Sequence, residues 1–225
     1  LIRGYRRMLL RLWPILAAVP LYGILMAAFA QVGMFIATGI TLFVAYCYLG
    51  IKIKRARQEP PDSVWGWHTV TWENLRPMLI RFAVMAVGMT LVAYGIDAIE
   101  YHEEPRLFFL LRVAPEFVLV LFLVYPLFSA LPQEFIFCTF FFERYQRFFP
   151  TDKLMILASA VVFAYAHVLF INLVAPVLSF IAGLIFASTY AKTKSLALVT
   201  IEHGLYGNYL FIVGLGWFFY GGAVQ

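Results

Sequence analysis

Four ionisable side chains in this sequence lie in runs that are otherwise strongly apolar. Glu134 lies in QEFIFCTFFFERY (residues 133–145), His167 ends the stretch FAYAH, and Glu202 and His203 begin EHGLYGN. A charge in hydrocarbon is costly, so an ionisable residue in such a run is expected to have both a partner and a function. These residues are therefore the first candidates for chemistry.

An acid that faces two imidazoles is a usable catalytic set. Glu134 can take a proton from water and make that water a nucleophile towards a carbonyl carbon. His167 can hold the water, and His203 can donate to the oxyanion that forms. The same three side chains could instead hold Zn²⁺ and leave a position open for water. The spacing HExxH is absent from the sequence, and chemistry with or without a metal stays open.

The three candidates are expected at similar depths in a membrane. At a rise of about 1.5 Å per helical residue, Glu134 lies roughly 15 Å, His203 roughly 14 Å and His167 roughly 21 Å from the nearest flanking basic residue. The depths are similar, and each carries an error of about one helical turn, roughly 5 Å. We therefore predict that three helices turn an acid and two imidazoles towards one buried pocket that opens to the cytosol.

The composition is that of a membrane protein. Of 225 residues, 63% are hydrophobic and 13% are charged, whereas about a quarter are charged in soluble domains. The net charge of +5 fits the basic cytoplasmic loops of membrane proteins, so no nucleic-acid partner is expected. Cys47 and Cys138 have no metal-ligand spacing, and a disulfide scaffold is not expected. No cleavable secretory signal is expected either, because the first apolar stretch is long enough to be a span.

Apolar runs and their charged boundaries predict an all-α, polytopic transmembrane bundle of about seven spans, or eight with the C-terminal segment. A helix needs about 20 residues to cross a bilayer. The two longest runs are each expected to hold two spans, and the second to turn near Asn172 to Pro176. The predicted spans occupy Leu12 to Ile51, Met78 to Ile96, Phe117 to Phe142, Leu154 to Ala191, and Ser195 to about Val213.

The whole chain, 1–225, is predicted to be one transmembrane domain. Within it, residues 1–57 form an N-terminal helical hairpin and residues 117–213 form the core that carries the candidate residues. Basic residues flank the hairpin at both ends, which places the N-terminus in the cytoplasm. Pro126 and Pro132 are expected to kink the fourth span.

Three stretches, PQEFIFCTFFFERY, FAYAH and EHGLYGN, resemble the intramembrane motifs of the CAAX-protease and bacteriocin-processing (CPBP, Abi-type) family. Its motifs read EExxxR, FxxxH and HxxxN or a variant, and all three occur here in order over about residues 120 to 215. The resemblance implies an intramembrane endopeptidase of the bacterial inner (cytoplasmic) membrane. It also implies a membrane-associated peptide or protein as substrate, and a supporting role for Phe163 beside His167.

The motifs depart from the family pattern at three positions. Gln133 stands where the family has its first glutamate, which is held to activate water, and Glu134 matches the second. Cys138 replaces the arginine. In the third motif Gly207 occupies the last position, with Asn208 one residue later, which is a rotation of about 100° on a helix. Glutamine is not a base, so either Glu134 takes the catalytic role or the site does not hydrolyse peptides.

Two functions therefore remain. The first is an endopeptidase in which Glu134, His167 and His203 are catalytic, supported by Gln133 and the residues Phe163, Glu202 and Asn208. The second is a catalytically degenerate member that binds a partner, as an assembly factor or a structural subunit of a larger membrane complex. In both cases membrane lipids surround the chain. A transporter would show inverted repeats, which the sequence lacks, and Cys138 is expected to pack rather than to act as a nucleophile.

Overall fold

The computed structural model describes Tyr48, residues 64–100, Glu103 and residues 105–219. This part of the chain is helical and contains no strand. Short 3₁₀ turns at Trp67–Thr69, Val168–Phe170 and Leu215–Phe219 accompany the helices. The helices are α1 (Trp72–Glu100), α2 (Phe109–Val113), α3 (Pro115–Phe148), α4 (Asp152–His167), α5 (Val174–Thr193) and α6 (Leu196–Ile212).

Four helices of the described part are long and apolar enough to cross a membrane. They are α1, α3, α4 together with its 3₁₀ turn, and α5, and they coincide with the third to sixth predicted spans. The chain is thus a multi-pass membrane protein. Helix α6 fills the seventh predicted span but has 17 residues. The first two spans and the 1–57 hairpin lie outside the described residues except for Tyr48, so the count of about seven stays a prediction.

Helix α3 is continuous but irregular. Two widened π-type turns, at Pro126–Ala130 and Phe135–Phe140, flank the short regular segment Leu131–Glu134. A proline has no N–H to donate within the helix, and Pro126 opens the first wide turn, whereas Pro132 lies in the regular segment. Wide turns of this kind are frequent at functional sites, and here they enclose the segment that carries Glu134.

Helices α4 and α5 form a tightly packed hairpin. Asn172 ends the connection by accepting a hydrogen bond from the Ala175 amide through its side-chain oxygen, at 2.8 Å, which fixes the predicted turn. Gly183 of α5 lies so close to Ala160 of α4 that an added Cβ would be 3.0 Å from the Ala160 Cα. Small residues allow this approach, as in many membrane helix pairs.

Helix α6 is the central helix of the described part and contacts α1, α3 and α5. Ser195 caps its N-terminus by accepting a hydrogen bond from the Leu198 amide at 3.1 Å, a common way to satisfy a free helical N–H. The same hydroxyl donates to the carbonyl oxygen of Trp65, at 3.0 Å. The segment before α1 is therefore tied to the start of α6, and both helices begin at the same end of the bundle.

Candidate active site

Glu134 of α3 and His203 of α6 form a buried hydrogen-bonded pair. The distance from His203 Nδ1 to Glu134 Oε1 is 2.7 Å, and the two side chains are 6% and 1% exposed. The other carboxylate oxygen of Glu134, Oε2, is buried without a hydrogen-bond partner. The acid and one imidazole thus meet, as their depths predicted, and one oxygen of the acid remains available to a bound molecule.

Two aromatic rings pack against the imidazole of His203. The Phe186 ring of α5 stacks on it with a centroid distance of 4.6 Å and an interplanar angle of 18°. The Phe163 ring of α4 meets it edge-on, with centroids 5.7 Å apart. Such contacts fix the plane of the imidazole, so that its two nitrogens point in set directions.

The second ring nitrogen of His203 faces a residue that sequence reasoning did not single out. Tyr125, the last residue of the first regular segment of α3, has its hydroxyl 3.0 Å from His203 Nε2. Both nitrogens of His203 are therefore engaged, one with Glu134 and one with Tyr125. The oxyanion role expected for His203 would require one of these hydrogen bonds to break.

The imidazole rings of His167 and His203 both contact the Phe163 ring. The His167 and Phe163 ring centroids are 4.6 Å apart. His167 Nδ1 lies 2.8 Å from the Phe163 carbonyl oxygen, and because a carbonyl only accepts, Nδ1 carries the proton. In a neutral ring this leaves Nε2 as an acceptor. The second motif, FxxxH, thus works as a unit that sets the tautomer of its own histidine.

Glu202 belongs to a separate network, although it adjoins His203 in the chain. Neighbouring residues on a helix point about 100° apart, and Glu202 faces α1 and α5. Its carboxylate accepts from the Arg81 guanidinium at 2.7 Å and from the Thr189 hydroxyl at 2.5 Å. Glu202 is fully buried, whereas the Arg81 side chain is 39% exposed. This carboxylate is thus already paired and ties three helices together.

Of the positions that depart from the family pattern, Gln133 makes no hydrogen bond to the pair, whereas the Cys138 thiol lies next to the Glu134 carboxylate. The Gln133 amide donates to Ser129 Oγ at 3.0 Å, and the Gln133 side-chain oxygen is buried without a partner. Cys138 is a buried free thiol. Asn208 is also buried, and its side-chain oxygen has no hydrogen-bond partner. The Gln133 side chain bonds to Ser129 on the same helix, so it does not act as a second hydrogen-bonding partner of His203.

Arg81 and Tyr125, which take part in these networks, were not singled out from the sequence. Arg81 carried a signal, since it is a cation inside the predicted span Met78 to Ile96, where a charged residue needs a partner. Tyr125 carried none, because a tyrosine in an apolar run usually packs. Its contact with His203 depends on the geometry of α3 around the first wide turn.

The candidate residues do not assemble as a zinc site in this arrangement. Within the described residues, no group of three or more His, Cys, Asp or Glu side chains lies close enough to hold a metal ion. Glu134 and His203 lie at hydrogen-bonding distance from each other, and His167 bonds to a backbone carbonyl. A catalytic zinc needs three protein ligands, and the candidate residues do not come together in that way.

Comparison with known families supports the motif reading. Residues 115–209 match the family model of the type II CAAX prenyl endopeptidase Rce1-like proteins. The matched segment contains Glu134, His167 and His203, with Tyr125 near its start. Searches of curated proteins and of solved structures found no match. The match confirms the resemblance predicted from the three motifs, and it shows that residues 115–209 are similar to the type II CAAX prenyl endopeptidases.

Proposed function

We propose that this chain is an intramembrane endopeptidase that hydrolyses a peptide bond of a membrane-associated peptide or protein, with Glu134 as the general base. The proposal rests on the hydrogen bonding of the Glu134 carboxylate. One oxygen is held by His203 and the other is buried without a partner. A buried carboxylate with a free oxygen is costly unless it binds something, and water is the molecule that a hydrolase must bind there.

The reaction needs one proton transfer in each direction. Glu134 Oε2 takes a proton from water while the water oxygen attacks the carbonyl carbon of the scissile peptide, which forms a tetrahedral oxyanion. When this intermediate collapses, the carbon–nitrogen bond breaks and the proton held by Glu134 passes to the leaving amine. The products are a carboxylic acid and an amine, and the carboxylate is restored.

The two histidines have different tasks in this scheme. His203 orients Glu134 by donating from Nδ1 to Oε1, which leaves Oε2 in a fixed direction. His167 holds the water by accepting its second O–H bond at Nε2, the nitrogen that its bond to Phe163 leaves unprotonated. Two acceptors thus serve the two protons of one water molecule, and no metal ion is needed.

The site lies among membrane-spanning helices, which favours a substrate that reaches it from the membrane. The outer faces of these helices are apolar and exposed, as at Leu123 (73%) and Val84 (66%), and lipid is their natural environment. We propose a bacterial inner membrane, which the family resemblance implies. We also propose a cytoplasmic N-terminus, because basic residues flank the first apolar run.

The experiment compares cleavage by the wild-type chain, Glu134→Gln and His167→Gln in proteoliposomes, using a panel of peptides that each carry an apolar anchor. Because general base catalysis contributes about 10²–10⁴-fold, Glu134→Gln should lower the rate at least a hundredfold. Glu116→Gln, an exposed carboxylate on the same helix, is the matched control and should cleave like the wild type. Full activity of Glu134→Gln would refute the proposal.

The alternative, a degenerate member that binds a membrane partner, is favoured by Gln133 in the position of the family base. It predicts that the wild-type chain cleaves no peptide of the panel. It also predicts that the chain copurifies with a fixed stoichiometric partner from native membranes, and that Glu134→Gln leaves this complex unchanged.

A further inference from the structure

We infer that the Tyr125 hydroxyl positions His203 for its hydrogen bond to Glu134, and that Gly207 is a glycine because it must admit the Tyr125 ring. This inference concerns the site of the proposed function, and its hydrogen-bonding part is tested without any activity. It assigns a role to a side chain on a different helix from the third motif.

The packing between α3 and α6 shows why residue 207 carries no side chain. An ideal Cβ on Gly207 would lie 2.1 Å from the Tyr125 Cε1 atom and 2.3 Å from its hydroxyl oxygen. These distances are far below van der Waals contact. The Tyr125 ring is itself packed against the Phe211 ring, with the two centroids 5.6 Å apart. One turn earlier, a Cβ on Gly204 would meet Pro126 at 3.0 Å. The two glycines thus form a shallow face on α6 against which Tyr125 and Pro126 lie.

The Tyr125 hydroxyl therefore occupies the space in which a side chain at residue 207 would begin. In the family motif this position, four residues after the histidine, holds asparagine. Here the adjacent Asn208 has an unpartnered side-chain oxygen and does not bond to His203. The hydrogen bond to His203 thus comes from a tyrosine on the neighbouring helix. The space next to residue 207 is filled by this side chain of α3 and not by a side chain of α6.

The direction of the hydrogen bonds follows from the role of Glu134. A carboxylate that acts as a base is ionised and can only accept, so His203 Nδ1 carries a proton and donates to it. In a neutral imidazole Nε2 is then an acceptor, and the Tyr125 hydroxyl must be its donor. Tyr125 thereby selects the tautomer in which His203 donates to Glu134. Loss of the hydroxyl would leave Nε2 without a donor and free the ring to adopt the other tautomer.

The first test is spectroscopic and uses the full chain, labelled with ¹⁵N-histidine, in lipid nanodiscs. The sequence has four histidines, and His203→Gln assigns the signals of His203. In Tyr125→Phe, which keeps the ring, the His203 Nε2 signal should move to the position of a nitrogen that accepts no hydrogen bond. The His167 signals should stay in place as an internal control. An unchanged His203 Nε2 signal in Tyr125→Phe would overturn the inference.

The second test exchanges the two sides of the contact. Gly207→Asn alone should fail to pack against Tyr125, and Tyr125→Ala should lose the hydrogen bond. The double variant Tyr125→Ala/Gly207→Asn should regain thermal stability and the His203 Nε2 signal of an acceptor. A double variant no better than either single variant would show that residue 207 and Tyr125 do not share one space, and would overturn the inference.

Activity separates this inference from the proposed function. If the wild-type chain cleaves peptides, Tyr125→Phe should lower kcat roughly tenfold, the value of one lost hydrogen bond, with KM unchanged. If the wild-type chain cleaves nothing but its His203 Nε2 signal depends on Tyr125, the positioning role stands and the peptidase proposal fails. Unaltered kcat in an active Tyr125→Phe would show that the hydrogen bond does not serve catalysis, and would overturn the inference.

Discussion

Replacement of Arg81 by methionine isolates the contribution of the buried network around Glu202. In the wild type the Arg81 guanidinium donates to the Glu202 carboxylate at 2.7 Å, and the Thr189 hydroxyl donates to the other oxygen. Methionine keeps most of the length and apolar surface of the side chain and removes the charge. Glu202, which is fully buried, would keep one neutral hydrogen bond and lose its counter-charge.

The expected cost follows from the burial of the two partners. Removing one member of a fully buried ion pair costs about 3–5 kcal/mol, because the remaining charge stays desolvated. Here the cost should be smaller, since Arg81 is 39% exposed and water already reaches part of it, and since Thr189 still donates to Glu202. We expect Arg81→Met to lower the free energy of unfolding by about 2 kcal/mol.

The assay is equilibrium unfolding in mixed micelles of a mild detergent and SDS, followed by tryptophan fluorescence. Arg76→Met is the matched control, because Arg76 is an exposed arginine on the same helix and its loss should change stability by less than about 0.5 kcal/mol. The double variant Arg81→Met/Glu202→Leu removes both charges and should recover most of the loss. The reasoning would be refuted if Arg81→Met were as stable as the wild type. It would also be refuted if the double variant lost as much free energy of unfolding as the two single variants together.

Two further predictions concern helix packing and the second wide turn. Gly183→Ala should lower the free energy of unfolding by about 1–3 kcal/mol, because its Cβ would press on Ala160. Gly88→Ala is the control: its Cβ would meet nothing within 4 Å, and the free energy of unfolding should rise by up to about 1 kcal/mol. Equal changes in the free energy of unfolding for the two variants would contradict this prediction. Ser159→Ala should cost about 1–3 kcal/mol, because the Ser159 hydroxyl donates to the Phe137 carbonyl at 2.7 Å. Amide exchange over residues 135–141 should quicken, and unaltered exchange would count against this role.

Much of the helical layout could be predicted because it depends on local chemistry. Long apolar runs and the charged residues at their ends set the approximate lengths of α1, α3, α4 and α5. The hydrogen bond between Asn172 and Ala175 lies at the predicted turn. Counting residues from the flanking charges placed Glu134 and His203 at one level, where they do form a hydrogen bond. These features need only a rise per residue and the cost of charge in hydrocarbon.

The partners of each side chain could not be predicted in the same way. A helix that is apolar all round gives no pattern from which its inward face can be read, and α3 also changes its winding twice. The contact of Tyr125 with His203 therefore has no counterpart in the spacing of the motifs. Arg81 was visible as a cation inside a span, but its choice of Glu202 rather than Glu134 depends on which face of α6 meets α1.

The wide turns of α3 also affect how motif spacings compare between homologues. A turn closed by an i→i+5 hydrogen bond contains one residue more than an ordinary α-helical turn, so each such turn shifts the phase of everything that follows. Deleting a single residue between 135 and 140 would therefore tighten the helix into regular winding instead of breaking it. A homologue with that deletion would form the same pocket, but the spacing within its motif would be one residue shorter. An alignment without a gap would then pair residues that do not correspond in the structure.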